Sequence, residues 1–370
     1  MRRTVQGRFG HGSHEVIESM KGRETGSRLA ILKLARALGM FRLARRWTGN
    51  GLRILCYHGI SVADEDEFRP GLFMKPATFR SRLGYLSANG YRVLSLDAAL
   101  QHLKENSLPR DSVVLTFDDG FFGLHRYGIP ILKEFEFPAT IYLTTYYAAK
   151  ETPIFRLLVA YLVWKADKKV IALEGLIPSL SGPLDLRDEQ ATSTVVDHII
   201  EYGEGECSEG ERVEITDRLA GRLGIDYDEM RSQRLMCLVD RAEASDFAKS
   251  DIDLQLHTHR HRLPIERQVV KAELSENRRA LEDIVDGSVR HFCYPSGIWD
   301  RRHWPWLQEL GVDSATTCDP GFNYPTTPML GLKRYLDAED IPELEFEAEL
   351  CGFKELLRGR GAGSRRNSDG

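Results

Sequence analysis

The sequence predicts an α/β fold built on a parallel sheet or barrel. Two observations carry this. Short apolar runs alternate with helical patterns through most of the chain, as strand–helix units do. The length also fits: 370 residues, 42% hydrophobic and 28% charged, suit a soluble globular protein, and α/β barrels reach this size as one domain. The net charge of −5 leaves no electrostatic footprint for nucleic acid, so no nucleic-acid partner is expected.

The elements follow in order. Residues 1–28 are rich in Gly, Arg and Glu without periodicity and read as mobile. Within Leu29–Trp47, Leu29, Leu32, Ala35, Met40 and Leu43 recur near helical spacing. Lys33, Arg36, Arg42, Arg45 and Arg46 add charge there with no acid among them. Such a helix can lie on an anionic membrane, or it can pack on the main domain with its basic face in water. Peripheral membrane contact through 29–47 is thus one of two readings.

The body spans 51–350. Strands are predicted over Leu52–Tyr57, Val113–Phe117, Ala139–Leu143, Ile252–Leu256, His291–Tyr294, Val312–Thr317 and Leu332–Tyr335. Helical patterns lie between them over Pro76–Asn89, Leu96–Lys104, Ile129–Phe135, Val269–Val285 and Trp304–Leu310. Residues 144–250 break the rhythm and read as a mostly helical insertion; long insertions in barrels sit on loops, often at the active-site end. Ile154–Trp164 is too short to span a bilayer and reads as a buried or amphipathic helix. Residues 351–370 read as a disordered tail.

Six cysteines form no C-x-x-C pair, which argues against a thiolate zinc knuckle and a disulfide scaffold and for a reducing compartment. Met1–Gly26 is polar and shows no export signal. The expectation is a cytoplasmic protein, held at the inner membrane if Leu29–Trp47 binds lipid.

Two clusters carry the chemistry. Asp118 and Asp119 end the apolar run Val113-Val114-Leu115 in the stretch Thr116-Phe117-Asp118-Asp119-Gly120. Paired carboxylates at a strand mouth repel each other and invite a cation. The second cluster, His257-Thr258-His259-Arg260-His261, follows Ile252–Leu256. His257 and His261 stand four apart and can reach one ion, and Asp119 completes a His-His-Asp set with positions left for water and substrate. Both clusters sit at strand exits, where barrel enzymes gather their catalytic groups. Adjacent Asp residues point apart on an extended strand, so dividing them into one ligand and one base needs a kink near Gly120.

On these motifs the chain resembles the polysaccharide deacetylases of carbohydrate esterase family 4, the nodulation-deacetylase type. T-F-D-D-G is intact at Thr116–Gly120, and H-[ST]-x-x-H stands at His257–His261. The resemblance covers about 52–150 and 250–350. It implies a distorted (β/α) barrel of about seven parallel strands, with the 144–250 insertion outside it. It implies Asp118 as catalytic base, Asp119, His257 and His261 as metal ligands, and a divalent ion, usually zinc. It further implies hydrolysis of an N-acetyl group on an amino sugar of a polysaccharide or glycan precursor.

Two family motifs depart. The usual R-x-P-Y-G is replaced by Cys293-Tyr294-Pro295-Ser296-Gly297, which lacks the arginine that would orient the base. Ser296 keeps an amide for the oxyanion, or the turn is structural; Tyr294 and Pro295 are candidate substrate contacts. The closing L-x-x-H is replaced by Leu330-Gly331-Leu332-Lys333-Arg334, without the histidine that would protonate the amine. His58, His291 and His303 are candidate acids by type, and His58, which closes the first strand, is expected to line the barrel mouth. Arg334 either faces the site and binds substrate or is a surface arginine. Phe121, Phe122, Trp299, Trp304 and Trp306 can stack on sugar or fill the core. An O-acyl esterase, a non-sugar amide hydrolase and a degenerate glycan-binding module remain as alternatives.

Overall fold

The computed structural model describes residues 14–150, 152–250, 252–285 and 287–358. Seven parallel strands form its centre: β1 Arg53–Tyr57, β2 Ser112–Asp119, β3 Ala139–Leu143, β4 Ile252–Leu256, β5 His291–Cys293, β6 Ser314–Thr316 and β7 Tyr335–Leu336. Their order is β6-β5-β4-β3-β2-β1-β7, every neighbouring pair parallel. A parallel bridge between Thr316 and Leu332 joins the last segment back to β6, so the sheet closes. This is the distorted α/β barrel expected, and a short strand, Arg92–Val93, adds to the start of β2.

The pleat sorts the side chains. Successive residues of a strand point to opposite faces, and two apolar clusters reflect it. Leu55, Leu115, Ile141 and Phe292 pack with the surrounding helices. Their neighbours Ile54, Val114, Tyr142 and Cys293 pack instead with Leu332 and with Leu96, Leu100 and Leu103 of the helix Leu96–Lys104. Parallel strands covered on both faces read as continuous apolar runs, which is why the sequence reveals them.

The insertion builds its own core. Its helix Phe155–Lys165 is buried along Phe155 and from Leu157 through Trp164, as a helix apolar on nearly every face must be. It packs against the helices Glu189–Glu206 and Glu209–Leu223. Val170–Ala172 and Pro183–Asp185 form an antiparallel pair that periodicity does not announce, since three residues are too few to show a period.

The ends differ from expectation. Residues 1–13 lie outside the described residues, but the rest of the segment read as mobile enters the helix His14–Ala37. The single helix expected over Leu29–Trp47 is two, because Gly39 breaks it with φ 73° before Met40–Thr48. Only the second half of the expected tail, 359–370, lies outside the described residues. Residues 353–358 are helical, and Phe353 is buried with its ring centroid 5.3 Å from that of Phe41.

Candidate active site

Asp118 stands on the inward face of β2, in line with Val114 and Thr116. It is 3% exposed. A buried carboxylate needs a partner, and Arg334, itself 0% exposed, supplies one. The guanidinium donates from Nη1 to Asp118 Oδ1 and from Nη2 to Oδ2, both at 2.7 Å. Its Nε donates to the Thr317 carbonyl at 2.9 Å, and Nη1 also reaches Thr116 Oγ1 at 3.2 Å. The thiols of Cys293 and Cys56 stand 3.4 and 3.6 Å from Asp118 Oδ2. Burial alone would raise this carboxyl. The bidentate guanidinium more than offsets that, with His257 and His58 nearby, and holds it far below the ordinary carboxylate range.

Arg334 is therefore neither a surface arginine nor a substrate contact, and its expected substrate-binding role is corrected. It orients Asp118, the task left open by the arginine missing beside Pro295. The signal that could have found it is its place in a predicted buried strand: an arginine there needs an acid, and a vacant arginine position needs a substitute.

Asp119 points elsewhere. Its φ of 68° takes it out of the extended region, and Gly120 follows at φ 86°. The kink thus begins one residue before Gly120. A Cβ on Gly120 would lie 2.3 Å from Leu143 Cδ1, so only glycine passes here. The turn carries Asp119 Oδ1 to 3.4 Å from His257 Nε2 and 3.4 Å from His261 Nε2. Tetrahedral bonds of about 2.0–2.1 Å to a zinc-sized ion put ligand atoms about 3.3–3.4 Å apart, so the three donors fit one divalent cation. The outer support fits too: His257 Nδ1 lies 2.9 Å from the Cys293 carbonyl, which leaves Nε2 free to ligate. Burial also pushes the Asp119 carboxyl up, but the two imidazoles prevail and bring it down to about 2. His261 is shifted down by burial, toward its neutral, ligating form.

The insertion is tied to both ligand loops. On leaving the barrel, Thr145 Oγ1 sits 2.8 Å from His259 Nδ1, and the Tyr146 amide donates to the His259 carbonyl. On returning, the Val239 amide donates to the Gly120 carbonyl and the Phe122 amide to Cys237. Buried Asn277 joins these parts: its Oδ1 accepts from the His257 amide at 2.9 Å, and its Nδ2 donates to the Leu143 carbonyl and Thr145 Oγ1, both at 3.0 Å. Sequence reading missed Asn277; an asparagine in an amphipathic helix carries no local mark.

The remaining candidates separate. His58 lies at the mouth, 18% exposed, with Nε2 3.8 Å from Asp118 Oδ2. His291 opens β5 at the far end of the strand and is held by Ser314 and Asp97. His303 is buried and lies 3.2 Å from the Pro264 carbonyl. Neither faces the site. Ser296 is exposed and left-handed at φ 56°. Tyr294 and Pro295, expected to touch substrate, are buried instead; the Tyr294 hydroxyl donates to the Leu330 carbonyl at 2.9 Å. Trp299 stacks on Trp304 at 5.8 Å, and both pack against the barrel core with Trp306. Phe121 is buried against Phe73, and the Arg234 guanidinium lies over Phe122.

A closed parallel barrel with an Asp-His-His set and a separate buried carboxylate at its strand exits is the arrangement that the resemblance to polysaccharide deacetylases leads one to expect. The family model described as polysaccharide deacetylase matches residues 105–167 and 213–315, omitting the hairpin and the helix Glu189–Glu206. The poly-beta-1,6-N-acetyl-D-glucosamine N-deacetylase of Escherichia coli (strain K12) is 34% identical over 96 residues. That match covers 25% of this chain and 14% of the relative, so the chain spans about a seventh of that protein. In fold it is similar to the Streptococcus pyogenes deacetylase PplD solved with acetate (TM-score 0.53, 16% identity, 81% of this chain and 98% of that one). It is also similar to IcaB from Ammonifex degensii (TM-score 0.52, 17% identity, 82% and 98%). In its motif-bearing segments and in its fold, the chain is similar to polysaccharide deacetylases.

Proposed function

We propose that this chain is a metal-dependent hydrolase that removes the N-acetyl group from an amino sugar of a polysaccharide or glycan precursor. The observation that carries the reading is the division of adjacent carboxylates: Asp119 at ligand spacing from His257 and His261, Asp118 turned away and paired with Arg334. The E. coli relative's name, an N-deacetylase of poly-beta-1,6-N-acetyl-D-glucosamine, supports the substrate class. Two histidines and a carboxylate suit zinc best among the divalent ions.

Asp119, His257 and His261 would hold the ion, which when bound supplies Lewis acidity and makes water more acidic. Asp118 accepts a proton from the attacking water. Arg334 keeps that carboxylate ionised and fixes both its oxygens, so it meets the water in one orientation. The water oxygen bonds to the acetyl carbon, and the amide of Ser296 donates to the developing oxyanion. The C–N bond then breaks, and His58, at the mouth beside Asp118, delivers the proton that the leaving amine requires. Products are acetate and the free amino sugar. Because Arg334 supplies the charge that the altered R-x-P-Y-G motif lacks, the reading as a degenerate binding module is less favoured.

The test is acetate release from N-acetylglucosamine oligomers, with metal content measured alongside. Asp118→Asn is expected to keep its metal and lose about 10²–10⁴-fold in turnover. His261→Ala is expected to lose both. Unchanged turnover in Asp118→Asn, or full activity after the metal is chelated away, sinks the reading.

A further inference from the structure

The two N-terminal helices pack on the barrel by one face only. Leu32 and Ala35 of His14–Ala37 and Phe41 and Ala44 of Met40–Thr48 are buried against Ala348, Cys351 and Phe353. Arg36 pairs with Glu347 at 3.2 Å, and Arg45 with Asp111 at 3.1 Å, on the same docked side. A second apolar row remains outside. Ile31, Leu34 and Leu38 are 63%, 61% and 68% exposed, and Met40, Leu43 and Trp47 are 44%, 45% and 59% exposed. These six are more than half of the eleven large exposed hydrophobic residues among the described residues, so they are not the scattered apolar surface any soluble protein shows.

Spacing explains the arrangement. At about 100° per residue, positions i, i+3 and i+7 share a helix face. Ile31, Leu34 and Leu38 make one such row, and Met40, Leu43 and Trp47 repeat it beyond Gly39. Lys33, Arg42 and Arg46 fall on the remaining exposed arc of the same helices. All three are exposed, and among the described residues they make no ion pair. From Arg28 to Gly51 there is no acidic residue at all. A partner protein would be expected to meet these cations with acids at fixed points. A bilayer meets them with mobile anionic headgroups, while the apolar rows and an interfacial tryptophan enter the acyl boundary. No helix among the described residues is long and apolar enough to cross a membrane, which is consistent with surface docking through this face.

We propose that the exposed apolar rows of the two N-terminal helices, flanked by Lys33, Arg42 and Arg46, dock this chain on the surface of an anionic lipid bilayer. The inference does not depend on the hydrolytic reading, since none of these residues touches the site. Co-sedimentation of the full chain with vesicles tests it, comparing phosphatidylcholine alone with phosphatidylcholine containing phosphatidylglycerol. The wild type is expected to partition onto the anionic vesicles, less so as salt rises. Exchanging Lys33, Arg42 and Arg46 for Gln is expected to lower the partition coefficient on the order of a hundredfold at low salt. The triple change Leu34→Glu, Leu43→Glu, Trp47→Glu is expected to abolish it, with metal content and thermal midpoint unchanged. Absence of wild-type binding, or equal binding to neutral vesicles at all salt concentrations, overturns the proposal. So does concentration-dependent self-association without lipid that the same triple change removes, because a second copy would then be the occupant.

Discussion

The barrel mouth and the helical insertion are held together by different physics. At the mouth, key charged and polar side chains are buried and paired: Arg334 with Asp118 and Thr317, Asn277 with His257, Leu143 and Thr145. In the insertion, a helix buried almost all round fills an apolar core, and charges pair at the surface, as Arg187 does with Asp185. Directional bonds fix positions to fractions of an ångström. Apolar packing fixes volume and tolerates substitution of similar shape. The mouth is thus where geometry is specified, and the insertion is where apolar packing holds the chain.

That contrast can be broken or sharpened by three substitutions. Arg334→Ala leaves Asp118 buried without its counter-charge and is expected to cost about 3–5 kcal/mol. Denaturant unfolding reads the loss, and acetate release should fall in parallel. Stability equal to wild type would mean that water replaces the guanidinium. Leu162→Ala, at a fully buried position of the insertion, is expected to cost about 2–5 kcal/mol while metal content stays at the wild-type value in the folded protein. If the ion is lost as well, the two regions are one cooperative unit. Arg187→Ala should leave the unfolding midpoint unchanged, since its pair with Asp185 is exposed; a measurable shift would show that surface charge does more for the insertion than its core suggests.

The same contrast explains what the sequence disclosed. Buried parallel strands are apolar runs between turn residues, so β3 and β4 are legible to the residue. The three ligands are legible because chemically distinctive side chains cluster within short stretches. Arg334 and Asn277 are not, because Arg334 reaches Asp118 across 216 residues and Asn277 reaches Leu143 and Thr145 across 134 and 132, contacts that only the closed barrel brings near. Tyr294 and Pro295 mislead for the converse reason: they adjoin a site motif in sequence, yet just past β5 Tyr294 packs into the barrel core and Pro295 is buried beside it. The helical break at Gly39 is legible only as a glycine, since its left-handed backbone depends on both helices finding their docking surface.

The reach of Arg334 has a consequence for how this protein is made. Its partner Asp118 lies 216 residues earlier. During synthesis the carboxylate leaves the ribosome long before the guanidinium exists, and chains elongate at about 5–20 residues per second. For at least ten seconds or so, by that rate, Asp118 is without the guanidinium that pairs with both its oxygens. Asp118 therefore gains its bidentate partner only once the segment leading into β7 has been made. The segment from Leu332 to Leu336 thus both closes the ring and carries the residue that completes the base.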